Sequence, residues 1–209
     1  MASVSVGKAE SAENRCVASR SGACPNPEMK LDLERTALVV IDPRVDFLSL
    51  ESAAWLAPSV GVIAYETVQN LARLFKASKR TRITVAISLT SEDPCSSFIP
   101  ELTRYIEDGR TIVCSPNRLY SPLPRINDVG LRLRGQRISQ IILAGMIAGF
   151  GIECHLRDFL EQGFEVAVVR DAVAGPRLPE GKGYLSALAN FRRIANALWT
   201  TEETVKRLS

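Results

Sequence analysis

The chain has 209 residues, of which 46% are hydrophobic and 23% charged, with a formal net charge of +3. That is enough for one α/β domain with a full core. The basic residues, at Lys76–Arg82, Arg132–Arg137 and Arg192–Arg193, read as solvated helix ends and are too sparse for a nucleic-acid surface. No apolar run approaches the roughly 20 residues of a membrane span. The five cysteines form no CxxC pair, so a reduced, cytoplasmic setting is the default. His155 is the only histidine and has no acidic or cysteine partner at ligand spacing, so neither a metal nor a cofactor is expected.

Residues 1–30 are rich in Ala, Ser and Gly and read as a disordered tail, with residues 31–209 as the folded domain. The tail has no hydrophobic signal core. Lys8, Arg15 and Arg20 among serines leave organelle import open, although Glu10 and Glu13 argue against a transit peptide. Thr36–Asp42 then reads as a buried strand ending in Asp42-Pro43. A carboxylate at the carboxyl end of a central strand is costly to bury without a purpose or partner. Asp42 is therefore either a functional group or the cap of a loop. Asp46, shortly after it, suits a cap or an ion pair.

Val62–Ala77 has amphipathic helical spacing, with Val68, Leu71, Leu74 and Phe75 on one face. Ile83–Leu89 reads as a second strand. A polar stretch follows, with a short helix over Pro100–Ile106 and Cys95 as a bystander. Thr111–Cys114 is a short third strand, and the loop SPNRLYSP leaves its carboxyl end. There Arg118 either projects into a site or lies on the surface against Tyr120. A short helix over Val129–Arg134 comes next.

The most informative stretch runs from Ile138 to Gly175. Ile138–Ala144 is an apolar strand, Met146–Gly151 a glycine-rich turn, and Ile152–Gln162 a helix stopped by Gly163. Phe164–Val169 is a further strand, closed by Asp171, Gly175 and Pro176. A helix over Gly183–Ala197, an edge strand at Leu198–Thr200 and a last helix capped by Thr201 complete the chain. Strands alternating with helices predict a three-layer α/β/α sandwich around a doubly wound parallel sheet of about six strands. In such sheets ligands bind at the carboxyl ends of the strands, which places a site at the Met146–Gly151 turn.

TALVVIDPRVDFLS, TIVCSPNRLYSP and above all ILAGMIAGFGIECHLRDFLEQGFEVAVVRDAVAGP resemble the isochorismatase-like hydrolases, also called the cysteine hydrolase superfamily. The resemblance covers roughly Thr36 to the C-terminus, apart from the middle loop. It implies a dimer or tetramer and a site for amide hydrolysis built from a cysteine, an aspartate and a lysine. It also admits the isochorismatases, which hydrolyse a vinyl ether with the aspartate and no cysteine. Asp42 matches the family aspartate. Arg118 stands where the lysine is expected, and keeps its charge without its ability to share a proton. Gly151 stands where the nucleophile is expected and offers no nucleophilic atom.

Cys154 lies three residues further on, about 4.5 Å along the helix, too far to replace a nucleophile. It is expected as a buried, inert thiol, and His155 as a helix residue rather than a base. The segment between the second and third strands is also shorter than in relatives with this C-terminal half. The Gly149–Gly151 turn lacks a full dinucleotide fingerprint.

Two readings follow from the resemblance. The altered positions imply a non-catalytic member that acts as a homo-oligomer, protein partner or assembly subunit. The glycine, which isochorismatases share, implies instead an active hydrolase of a small anionic metabolite. In that case Asp42 and Arg118 are the catalytic candidates, and Ile147, Gly151 and Tyr120 line the substrate pocket.

Overall fold

The computed structural model describes residues 29–45, 60–90, 97–114, 128–175 and 183–209. Residues 1–28 of the expected tail, with Asp46, Cys95, Arg118 and Tyr120, lie outside the described residues, whereas Met29 is buried in the core and Lys30 O accepts from Gln140, so the folded part begins earlier than residue 31. Six parallel strands form one sheet: β1 (Thr36–Ile41), β2 (Thr84–Ser88), β3 (Ile112–Cys114), β4 (Gln140–Met146), β5 (Glu165–Ala174) and β6 (Ala197–Trp199). Their spatial order is β3-β2-β1-β4-β5-β6. The helices are α1 (Val60–Thr81), α2 (Pro100–Ile106), α3 (Asp128–Gly135), α4 (Glu153–Glu161), α5 (Gly183–Ile194) and α6 (Thr201–Arg207).

The strand pattern follows from burial on both faces. β1 is buried throughout, and its residues divide by parity. Leu38 and Val40 join the α1, α2 and α6 layer, with Leu71, Phe75, Leu102 and Leu208. Ala37, Val39 and Ile41 join the α3, α4 and α5 layer, with Leu133, Phe159 and Phe191. A strand with two apolar faces is stable only between two helical layers, which is why these elements make a three-layer sandwich.

Three local expectations are corrected. α1 extends beyond its apolar pattern to Val60–Thr81. β5 runs on to Ala174, with Asp171 inside it. There Asp171 has a partner that strand periodicity cannot show: its carboxylate accepts hydrogen bonds from the Thr201 amide (2.7 Å) and hydroxyl (2.9 Å). The cap of α6 is Thr200, not Thr201. Its side chain accepts from the Glu203 amide, and Glu203 reaches back to the Thr200 amide at 2.7 Å, forming a reciprocal capping box.

Candidate functional site

From β1 the chain builds outward through β2 to β3, then returns to the other side of β1 as β4. At that reversal the connections leaving β1 and β4 part to opposite faces, which is where open α/β sheets form a ligand crevice at the carboxyl ends of their strands. The described residues that reach it follow β1 (Asp42 to Val45), β2 (Leu89 and Thr90) and β4 (Ile147 to Ile152).

Asp42 is the first residue past β1. It adopts a left-handed conformation, φ 43°, which Asp tolerates better than most side chains. Its amide donates to Ser88 O at 3.0 Å, and its carbonyl accepts from the Arg44 amide at 2.8 Å. Among the described residues, the carboxylate is gripped by one. Oδ1 accepts from the Thr90 amide at 2.8 Å, and Oδ2 accepts from the Thr90 hydroxyl. Asp42 is only 1% exposed. Burial pushes its pKa up to about 6, against the opposing pull of the Thr90 hydrogen bonds and the Arg44 charge. A carboxyl group in that range holds or releases its proton near neutral pH.

β4 comes up beside Asp42 because Gly145 pairs with Ile41. Gly145 has φ 119°, and a Cβ there would stand 2.2 Å from Ile41 O, so only glycine permits this approach. The Met146–Ile147 peptide is cis. The chain then makes a widened π-helical turn, Ala148–Ile152, in which the Ile152 amide donates to Ile147 O at 3.1 Å. Such turns are frequent at functional sites. Gly151 packs over the end of β1. A Cβ there would meet Met146 O at 3.0 Å and Ile41 Cγ2 at 3.3 Å. The structure thus brings Gly151 against the residue immediately before Asp42.

His155, one turn beyond Gly151, is fully buried. Its Nδ1 lies 2.7 Å from Gly151 O, and its Nε2 lies 2.9 Å from Ser88 Oγ. A carbonyl only accepts, so Nδ1 bears the proton and donates, and Nε2 accepts from the Ser88 hydroxyl. Burial lowers the His155 pKa and keeps the ring neutral. His155 is a bolt between β2 and the π-turn, in keeping with its expectation as a helix residue.

Cys154 is exposed, which corrects the expectation of a buried thiol. The buried face of α4 runs through Ile152, Leu156 and Phe159, and Cys154 lies on the other side of the helix. Phe150 is also partly exposed, at 40%. Among the described residues no group of His, Cys, Asp and Glu could hold a metal ion, and no helix is long and apolar enough to cross a membrane.

Sequence reasoning singled out Asp42, Ile147 and Gly151, all of which lie at this crevice. It missed Ser88, Thr90 and Arg44. Ser88 and Thr90 fall at the end of a predicted strand, on the side where sites form, and that position was the available signal.

The fold is that of a doubly wound α/β protein with a buried carboxyl group, Asp42, at the switch point of its sheet. Residues 36–203 match the family model of the isochorismatase domain, and the chain belongs to that family. Similar solved structures include a cysteine hydrolase from Pseudomonas syringae pv. phaseolicola (18% identity, 90% of this chain and 98% of that chain, TM-score 0.74). A nicotinamidase from Bacillus subtilis is similar at 19% identity over 79% of this chain and 99% of that chain, with TM-score 0.63. An octameric hydrolase of unknown specificity from Escherichia coli is similar at 20% identity over 87% of this chain and 82% of that chain, with TM-score 0.63. No curated protein matches the chain by sequence.

Proposed function

We propose that the chain is a hydrolase of a small anionic metabolite that works by acid–base chemistry at Asp42, without a thiol nucleophile. The observation that carries this reading is the Asp42 carboxyl group itself, buried at the switch point with its pKa raised to about 6. A purely structural carboxylate at that position gains nothing from being held near its protonation midpoint. Protonated Asp42 donates to an acid-labile bond such as a vinyl ether, and water attacks the cation that forms. The attacking water returns one proton to the Asp42 carboxylate, and the hemiketal so formed collapses: its C–O bond to the leaving alcohol breaks and its hydroxyl proton passes to the departing oxygen, so no net proton is consumed. Gly151, by carrying no side chain, lets the π-turn close against Ile41 beside Asp42. Arg118 holds the substrate's negative charge, and Ile147 and Tyr120 line its apolar part.

A second reading is a non-catalytic partner or assembly subunit. It draws on the missing nucleophile at Gly151, the arginine at position 118 and the near-complete burial of Asp42. The octameric relative supports an oligomer in either case.

Turnover of isochorismate and of small amides across a pH series, beside Asp42→Asn, tests the proposal. Activity that falls tenfold per pH unit above about 6, and that drops at least about 100-fold in Asp42→Asn, is the expected result. No turnover by a folded protein rejects it in favour of the subunit reading. Loss of turnover in Cys154→Ala points to a thiol mechanism instead.

A further inference from the structure

At the opposite end of the sheet, where β2 and β3 begin, the surface forms a cavity of about 250 Å³. We propose that this cavity binds a small phosphate monoester with an apolar body, at a site separate from the Asp42 crevice. Around the cavity, hydrogen-bond donors outnumber the acceptors available to them.

Three cations border it: Lys79 from the last turn of α1, Arg82 just beyond that helix, and Arg110 from the segment before β3. Lys79 is already occupied, paired with Asp108 at 2.6 Å and donating to Thr111 Oγ1 at 2.6 Å. Arg82 and Arg110 are both exposed, and neither pairs with a carboxylate among the described residues. Basic residues beside a helix C-terminus often answer its dipole, which accounts for Lys79. It does not account for Arg110, which belongs to no helix.

Gln136 adds to the same excess. Its side-chain oxygen accepts from the Thr84 hydroxyl at 3.1 Å, which leaves its NH₂ group to donate. Two guanidinium groups and one amide, from three separate segments, thus offer donors, while the neighbouring carboxylate, Asp108, is engaged by Lys79. Such an arrangement repels itself until an oxyanion neutralises it. Donors arriving from three segments suit the three acceptor oxygens of a tetrahedral phosphate better than a flat carboxylate. Ile83, Val85 and Ile112 line the same cavity. The first two are buried, which gives an apolar floor for the rest of the ligand. The concave form favours a small molecule over a polyanion, which needs an extended basic track.

Calorimetric titration of the full chain with phenyl phosphate and with inorganic phosphate, at constant ionic strength, tests this. The expected result is saturable binding at one site, with phenyl phosphate several-fold tighter than inorganic phosphate. Arg110→Gln weakens binding at least tenfold without moving the melting temperature of the free protein. Gln136→Glu keeps the acceptor for Thr84, adds a negative charge and weakens binding as well, so the result does not hang on one variant. Three outcomes overturn the proposal: no saturation by the wild type at about 10 mM, equal affinity in Arg110→Gln and wild type, or single-stranded DNA that binds more tightly as it lengthens.

Discussion

At the amino end of the β1–β4 pair, Gln140 is buried and completely satisfied. Its Oε1 accepts from the Asp32 amide (2.8 Å) and the Thr36 hydroxyl (3.1 Å). Its Nε2 donates to Lys30 O (2.9 Å) and Glu165 Oε2 (2.6 Å). At the carboxyl end of the same two strands, Asp42 is more deeply buried, and among the described residues its carboxylate takes hydrogen bonds from Thr90 alone. A neutral amide with every donor and acceptor matched is a structural tie. A carboxylate whose burial outweighs its hydrogen bonds is a stability cost, and a cost of that kind collects at functional sites. The pair shows that depth of burial alone does not separate the two roles; the matching of polar groups does.

Substitutions along this pair sharpen the contrast. The largest effect falls on backbone geometry. Gly145→Ala forces a Cβ into Ile41 at a left-handed position and costs at least about 4 kcal/mol, read from urea melts. Gln140→Ala removes the partners of the Asp32 amide and the Lys30 carbonyl, while the Thr36 hydroxyl keeps Asp32 O at 2.6 Å, and costs about 2 kcal/mol in the same assay.

Asp42→Asn goes the other way. The folded pKa is raised, so between the unfolded value of 3.8 and about 6 the native state holds more protons than the unfolded one. Stability therefore falls as pH rises through that window, and the penalty is complete above it. Asp42→Asn is expected to be about 2 kcal/mol more stable than wild type at pH 7.5, with the two converging below pH 4. A variant that is less stable at pH 7.5 breaks the comparison, because it makes Asp42 a structural tie like Gln140.

The smallest effect belongs to His155. Its pKa is depressed by burial, so its contribution is intact above the unfolded value near 6.5 and is lost as pH falls towards the folded value. Wild type should lose stability relative to His155→Gln as the pH falls from 7 to 5. Thermal melts at matched salt give the difference.

How far the sequence discloses this site depends on the range of each interaction. β1 and β4 are legible because burial on both faces leaves unbroken apolar runs. Asp42 and Gly151 are legible because each interrupts such a run at a strand's carboxyl end. Thr90 and Ser88 are not, because their partners Asp42 and His155 lie 48 and 67 residues away in the chain. No local pattern encodes a pairing at that distance. The exposure of Cys154 was within reach, since counting from Ile152 along a helix already sets it outside the apolar stripe. The misplaced cap at Thr201 reflects two adjacent threonines, of which only Thr200 has a glutamate three residues on that reaches back to its own amide.

The β1–β4 pairing also dictates when the crevice comes into being during folding. Gln140 touches Glu165 across 25 residues of chain but Thr36 across 104. Closing the longer loop costs about 1 kcal/mol more in chain entropy, so β4 and β5 can associate before β1 arrives. Asp42 and the π-turn meet only when β1 docks, which makes the crevice one of the last features to form. Pulsed hydrogen exchange should find the Asp42 amide protected after those of β5; simultaneous protection would show the sheet assembling in one step.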